Sequence, residues 1–107
     1  MTKESIILES NEQYQEFIQQ DKPIVLYFTT PACNVCQAIY PKLMNLVQDR
    51  DIDVLKIDAS RFSDITGQLL IFNVPTIIIM AQQKEFLREI RFIEFEKVER
   101  MLDILLS

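Results

Sequence analysis

The 107-residue chain is 49% hydrophobic and 25% charged, which fits one folded domain over residues 1–107 and excludes a disordered or fibrous protein. Its formal net charge of −5, with no concentrated basic run, argues against nucleic acid as a partner. The longest apolar runs, IVLYF at 24–28 and VPTIIIMA at 74–81, are shorter than the roughly 20 residues that span a bilayer, so no membrane partner is expected.

The first thirty residues predict an edge strand, a helix and a central strand. Residues 6–8 form a short apolar run, and Ser10 with Glu12 provides an N-cap and an acidic first turn for the helix that follows. PIVLYFTT is continuously apolar and β-branched, which is typical of a strand buried on both faces. The opening residues contain no apolar stretch of about 7 or more, so a cytoplasmic protein is expected.

The remaining residues alternate between helical and strand patterns. From Cys33 onward the period is helical, and DIDVLKIDA then alternates as a strand with Ile52, Val54 and Ile57 facing inward. SDITGQLLIF predicts a short helix that contains Gly67, the only glycine. VPTIIIMA predicts an inner strand, KEFLREIRFI an outer antiparallel strand, and FEKVERMLDILL an amphipathic closing helix. The order βαβαβαββα predicts an α/β fold with a mixed sheet and helices on both faces.

Cys33 and Cys36 are the only thiols of the chain, and two residues separate them. Three interpretations are open. A redox pair fits a helix that begins at Cys33, because unpaired backbone N–H groups at a helix start favour thiolate over thiol. A metal site needs about four ligands, and without histidine it requires a shared site in a dimer or carboxylates to complete it. The third interpretation treats both cysteines as small buried residues of a redox-silent interaction module.

Several motifs together resemble the thioredoxin-like family. They are the CxxC between the central strand and a helix, Pro41 five residues after the second cysteine, and VPT at 74–76 before a late strand. The resemblance implies the thioredoxin fold and thiol–disulfide exchange, with Cys33 as nucleophile and Cys36 as resolving cysteine. It implies no bound cofactor, disulfide-containing protein substrates, and a flavin-dependent reductase or a low-molecular-weight thiol as electron donor.

The resemblance also indicates which residues would contact a substrate. A cis peptide bond before Pro75 would present the Val74 backbone to a docked strand. The expected substrate-binding residues are Ala32, Asn34, Val35, Val74, Pro75 and Thr76, with Ile90 or Phe92 as further apolar surface.

The chain departs from the family pattern around the cysteines. Asn-Val replaces Gly-Pro between them, and Ala32 replaces the usual Trp. Tyr27 occupies the position of a buried acid, where it is either a core residue or a hydroxyl that substitutes for that acid. The family's neighbouring lysine aligns with Val54. Lys56 is close to it in sequence, but it is expected on the other face of the strand from the family's lysine. These losses keep the interaction module open as an alternative.

Overall fold

The computed structural model describes residues 2–107 and arranges nine elements in the predicted order βαβαβαββα, which confirms the expected fold. They are β1 (Ile6–Ile7), α1 (Asn11–Ile18), β2 (Ile24–Thr29), α2 (Asn34–Val47), β3 (Asp53–Asp58), α3 (Ser63–Gln68), β4 (Thr76–Ala81), β5 (Lys84–Ile90) and α4 (Phe95–Leu106). Within the described residues, no helix is long and apolar enough to cross a membrane.

The strands form one mixed sheet in the order β1-β3-β2-β4-β5. Strands β1, β3 and β2 are parallel, whereas β4 and β5 run antiparallel to their neighbours. The predicted central strand is β2, and all six of its residues are buried. Because α2 follows this strand after only four residues, the start of α2 lies close to the C-terminal end of β2, in the middle of the sheet.

Two apolar clusters cover the two faces of the sheet. One contains Leu43 of α2 and Val98 of α4, and the other contains Tyr14 of α1 and Ile65 of α3. Ile52, Val54 and Ile57 are buried as predicted, but Leu55 is equally buried, so the predicted alternation of β3 is wrong. As an inner strand between β1 and β2, β3 is covered on both faces.

The third helix is shorter than its sequence pattern predicts. It ends at Gln68, and Leu70 adopts a left-handed backbone with φ of 57°. Gly67 lies inside this helix, and a Cβ atom built there would meet nothing within 4 Å. Close packing therefore does not require a glycine at this position.

Candidate active site

The two cysteines lie at the start of α2. Cys33 is the N-cap with φ of −88° and ψ of 102°, and its Sγ accepts a hydrogen bond from the Cys36 N–H at 3.1 Å. A disulfide joins the two residues, whose Cα atoms are 5.2 Å apart. Cys33 is half-buried and Cys36 is only 1% exposed. Of the two sulfurs, the one at the helix start is therefore the better placed to meet a reagent from solution.

The loop before β4 lies against the loop that carries Cys33. Thr30 and Val74 line one cleft of about 230 Å³, and Cys33 and Val74 pack against the same apolar cluster. The Val74–Pro75 peptide bond is cis. The Arg91 N–H donates to the Pro75 carbonyl at 2.8 Å, which brings the loop after β5 to the same place.

The expected substrate-binding residues differ in how accessible their side chains are. Ala32 and Asn34 are exposed, Val35 is 48% exposed, and Val74 is half-buried. Thr76 is 1% exposed, and its hydroxyl donates to the Asn73 carbonyl at 2.7 Å. The side chain of Thr76 is thus occupied within the chain and is not available to a substrate.

Two exposed apolar side chains belong to these parts of the chain. Phe92 is 87% exposed and follows Arg91, whose backbone is held by Pro75. Val35 presents a second apolar side chain from the first turn of α2. Phe92 and Val35 are thus two exposed apolar side chains, one on the loop after β5 and one at the start of α2.

Tyr27 lies directly behind Cys36. It is fully buried on β2, and its hydroxyl donates to the Cys36 carbonyl at 2.5 Å. The rings of Tyr27 and Tyr40 are 6.0 Å apart between centroids. Burial, with a smaller effect from Tyr40, raises the pKa of Tyr27 to about 12. The group at the position of the family's buried acid is therefore neutral and acts as a hydrogen-bond donor.

The prediction for Lys56 is wrong. In the parallel pairing of β2 with β3, Lys56 lies directly opposite Tyr27, so both side chains project from the same face of the sheet. The Lys56 Nζ is 4.8 Å from the centroid of the Tyr40 ring. Residues two apart on a strand share a face, so Lys56 shares that of Val54. Together with Tyr40, it is a site neighbour that the sequence interpretation missed, and the period of two could have found the lysine.

The described part of the chain contains no cluster of side chains that would support the metal interpretation. Across residues 2–107, no group of three or more His, Cys, Asp or Glu side chains is placed to hold an ion. Both cysteine sulfurs are bonded to each other.

Known proteins resemble this chain over nearly its whole length. The thioredoxin family model matches residues 5–103. A thioredoxin-like protein of Bacillus subtilis, YdfQ, is 36% identical over 101 residues, which cover 94% of this chain and 90% of that protein. A mutant thioredoxin from Halobacterium salinarum superposes with a TM-score of 0.86 at 15% identity, covering 97% of this chain and 92% of the other. A thioredoxin from Nicotiana alata gives a TM-score of 0.83 at 22% identity over 100% and 99% of the two chains.

Proposed function

The chain belongs to the thioredoxin family, and on that premise we propose that it is a thiol–disulfide oxidoreductase in which Cys33 attacks and Cys36 resolves. One observation carries the proposal: a half-buried sulfur at the start of a helix is bonded to a buried sulfur one turn later. Family membership and the cysteine pair support thiol–disulfide chemistry in general. The roles of the two sulfurs are the proposed refinement.

In the proposed reaction the reduced protein starts with Cys33 as a thiolate. Its Sγ attacks one sulfur of a substrate disulfide, a mixed disulfide forms, and the other substrate sulfur leaves with the electron pair and takes up a proton. Cys36 then attacks Cys33 and releases the second substrate sulfur. The substrate gains two electrons, and the protein is left with the disulfide between Cys33 and Cys36.

The start of α2 supplies the electrostatic help that Cys33 needs. The backbone N–H of Cys36 already points at the Cys33 sulfur, and the positive end of the helix dipole favours a negative charge there. No histidine exists in the chain to act as a base. Activation of the nucleophile therefore relies on backbone N–H groups.

The proposed substrates are proteins that carry a disulfide in an extended, apolar segment. Ala32, Val35 and Phe92 offer accessible apolar surface around the pair, and Asn34 is exposed between the cysteines. The backbone of Val74 beside Pro75 is the proposed edge for a docked strand. A reductase or a low-molecular-weight thiol would return the electrons, and the cytoplasmic location stays a prediction from the sequence.

The experiment that tests this function measures whether the pair is a redox couple. The protein is equilibrated in graded dithiothreitol and glutathione buffers, and alkylated cysteines are counted by mass. We expect one two-electron transition between about −270 and −200 mV. Dithiothreitol-driven reduction of a protein disulfide should be lost in Cys33→Ser. A pair that never forms the internal disulfide, or an active Cys33→Ser protein, would instead indicate an interaction module without redox activity.

A further inference from the structure

A tyrosine of the central strand is tied to the backbone of the buried cysteine. Tyr27 is 0% exposed, and its hydroxyl donates to the Cys36 carbonyl at 2.5 Å. A phenol has one proton to donate, and here that proton is directed at a carbonyl oxygen. Five residues after Cys36, Pro41 lacks the N–H that would bond the Gln37 carbonyl. The bond from Tyr27 therefore supports α2 next to a missing helical bond.

The surroundings of Tyr27 and Cys36 contain no buried carboxylate. Thr29 and Thr76 are the only buried polar or charged side chains among residues 2–107, tyrosines aside. The elements that pack around Tyr27 contribute Lys56 from β3, apolar residues from β4 and α4, and Tyr40 from α2. Asp58, two residues after Lys56 on β3, shares this face of the sheet and is half-buried. Besides the cysteines, the titratable groups on this side of the sheet are therefore two phenols, one lysine and the half-buried carboxylate of Asp58.

We propose that Tyr27 is a positioning residue, which holds Cys36 in place for the resolving attack and takes no proton from it. This inference rests on the proposed function. In the resolving step the Cys36 thiol gives its proton to water, and its Sγ attacks the Cys33 Sγ. The bond between Cys33 and the substrate sulfur breaks as the bond between Cys33 and Cys36 forms. The substrate sulfur leaves with the electron pair and takes a proton from water.

The two chemical steps can be timed separately with dithiobis(nitrobenzoate). Reduced protein is mixed with a slight excess of the reagent, and the nitrothiobenzoate absorbance is followed by stopped flow. The first release reports attack by Cys33 and scales with reagent concentration, whereas the second reports resolution by Cys36 and does not. The variant Tyr27→Phe removes only the hydroxyl. Tyr14→Phe is the matched control, because it alters a buried tyrosine on the opposite face of the sheet.

We expect Tyr27→Phe to slow the second release about fivefold, the effect of losing one hydrogen bond, and to leave the first unchanged. Tyr14→Phe should leave both rates unchanged. A variant that is only less stable would not slow the second release while leaving the first unchanged. Equal slowing of both phases, or an unchanged second phase, would overturn the inference. A protein that shows no first release would instead refute the proposed function.

The pH profile of the second release provides an independent test, which begins with the native sequence. Because the proposed step gives the proton to water, the rate in the native sequence should rise with one ionisation, that of Cys36. A second inflection that disappears in Tyr27→Phe, in Lys56→Met or in Asp58→Asn would assign the proton to one of those side chains. Any of these results would overturn the inference.

Discussion

Replacing Lys3 with methionine should destabilise the protein far more than the loss of an exposed lysine would. The Lys3 ammonium donates to the Val47 carbonyl at 3.0 Å, to the Ile52 carbonyl at 2.8 Å, and to the Arg50 carbonyl. These carbonyls belong to the end of α2 and the turn after it. The Lys3 side chain therefore caps the C-terminal end of α2, the helix whose N-terminal end carries the cysteines.

The magnitude follows from the acceptors that lose their donor. The last carbonyls of a helix have no helical partner, and α2 has no basic residue in its last turn. Hydrogen bonds to a charged group contribute about 1.5 to 3 kcal/mol, and a cation at a helix C-terminus adds about 0.3 to 1 kcal/mol. Because Lys3 is only half-buried, we expect the low end, about 2 kcal/mol, and a fall in Tm of roughly 10 °C.

Urea unfolding followed by far-UV circular dichroism measures this loss, since the chain has no tryptophan to report by fluorescence. The control is Lys22→Met. Lys22 pairs with Asp51 at 3.6 Å, but their side chains are 69% and 86% exposed, so its loss should cost under about 0.5 kcal/mol. If Lys3→Met were no more destabilising than Lys22→Met, the three carbonyl contacts would not contribute to stability and the reasoning would be wrong.

Three further outcomes are expected. Gly67→Ala should raise the free energy of unfolding by up to about 1 kcal/mol, because the added methyl group meets nothing within 4 Å; a loss of stability in urea titrations would contradict this. Phe92→Ser should slow reduction of a protein disulfide severalfold without changing the rate with dithiobis(nitrobenzoate). The control is Ile104→Ser, which alters a 60% exposed apolar residue of α4 and should change neither rate. Equal effects of the two variants would exclude docking at Phe92. Folding raises the pKa of Tyr27 from its ordinary value of 10.0 to about 12, so the unfolded chain loses that proton first. The contribution of Tyr27 to the free energy of unfolding should be complete below about pH 10. It should fall by an amount on the order of 2 kcal/mol as pH rises toward about 12. When unfolding is measured across that range, this fall should be smaller in Tyr27→Phe.

Residues close together in sequence were enough to predict most of the secondary structure and the pairing of the two cysteines. The buried run of β2 and the helical period after it are set by residues close in sequence, as is the cap at Ser10, whose side chain accepts from Gln13. Cys33 and Cys36 are neighbours in sequence, so a helix start is enough to bring their sulfurs together. Pro75 before a strand could be interpreted in the same way, because a proline inside the strand would remove a ladder hydrogen bond.

The tertiary structure alone decided what surrounds the pair. The period of two along β3 could have placed Lys56 on the face of Val54. That Lys56 also lies directly opposite Tyr27 depends on the register between two strands almost thirty residues apart, and one residue of slip would remove this pairing. The hydroxyl of Tyr27 meets the Cys36 carbonyl only because α2 packs back over β2 at a particular distance. Lys3 reaches the end of α2 across more than forty positions of sequence. The sequence by itself determined which elements form and where the two sulfurs meet, since those depend on short-range backbone preferences. Packing between distant elements determined which neutral and charged groups stand behind the sulfurs.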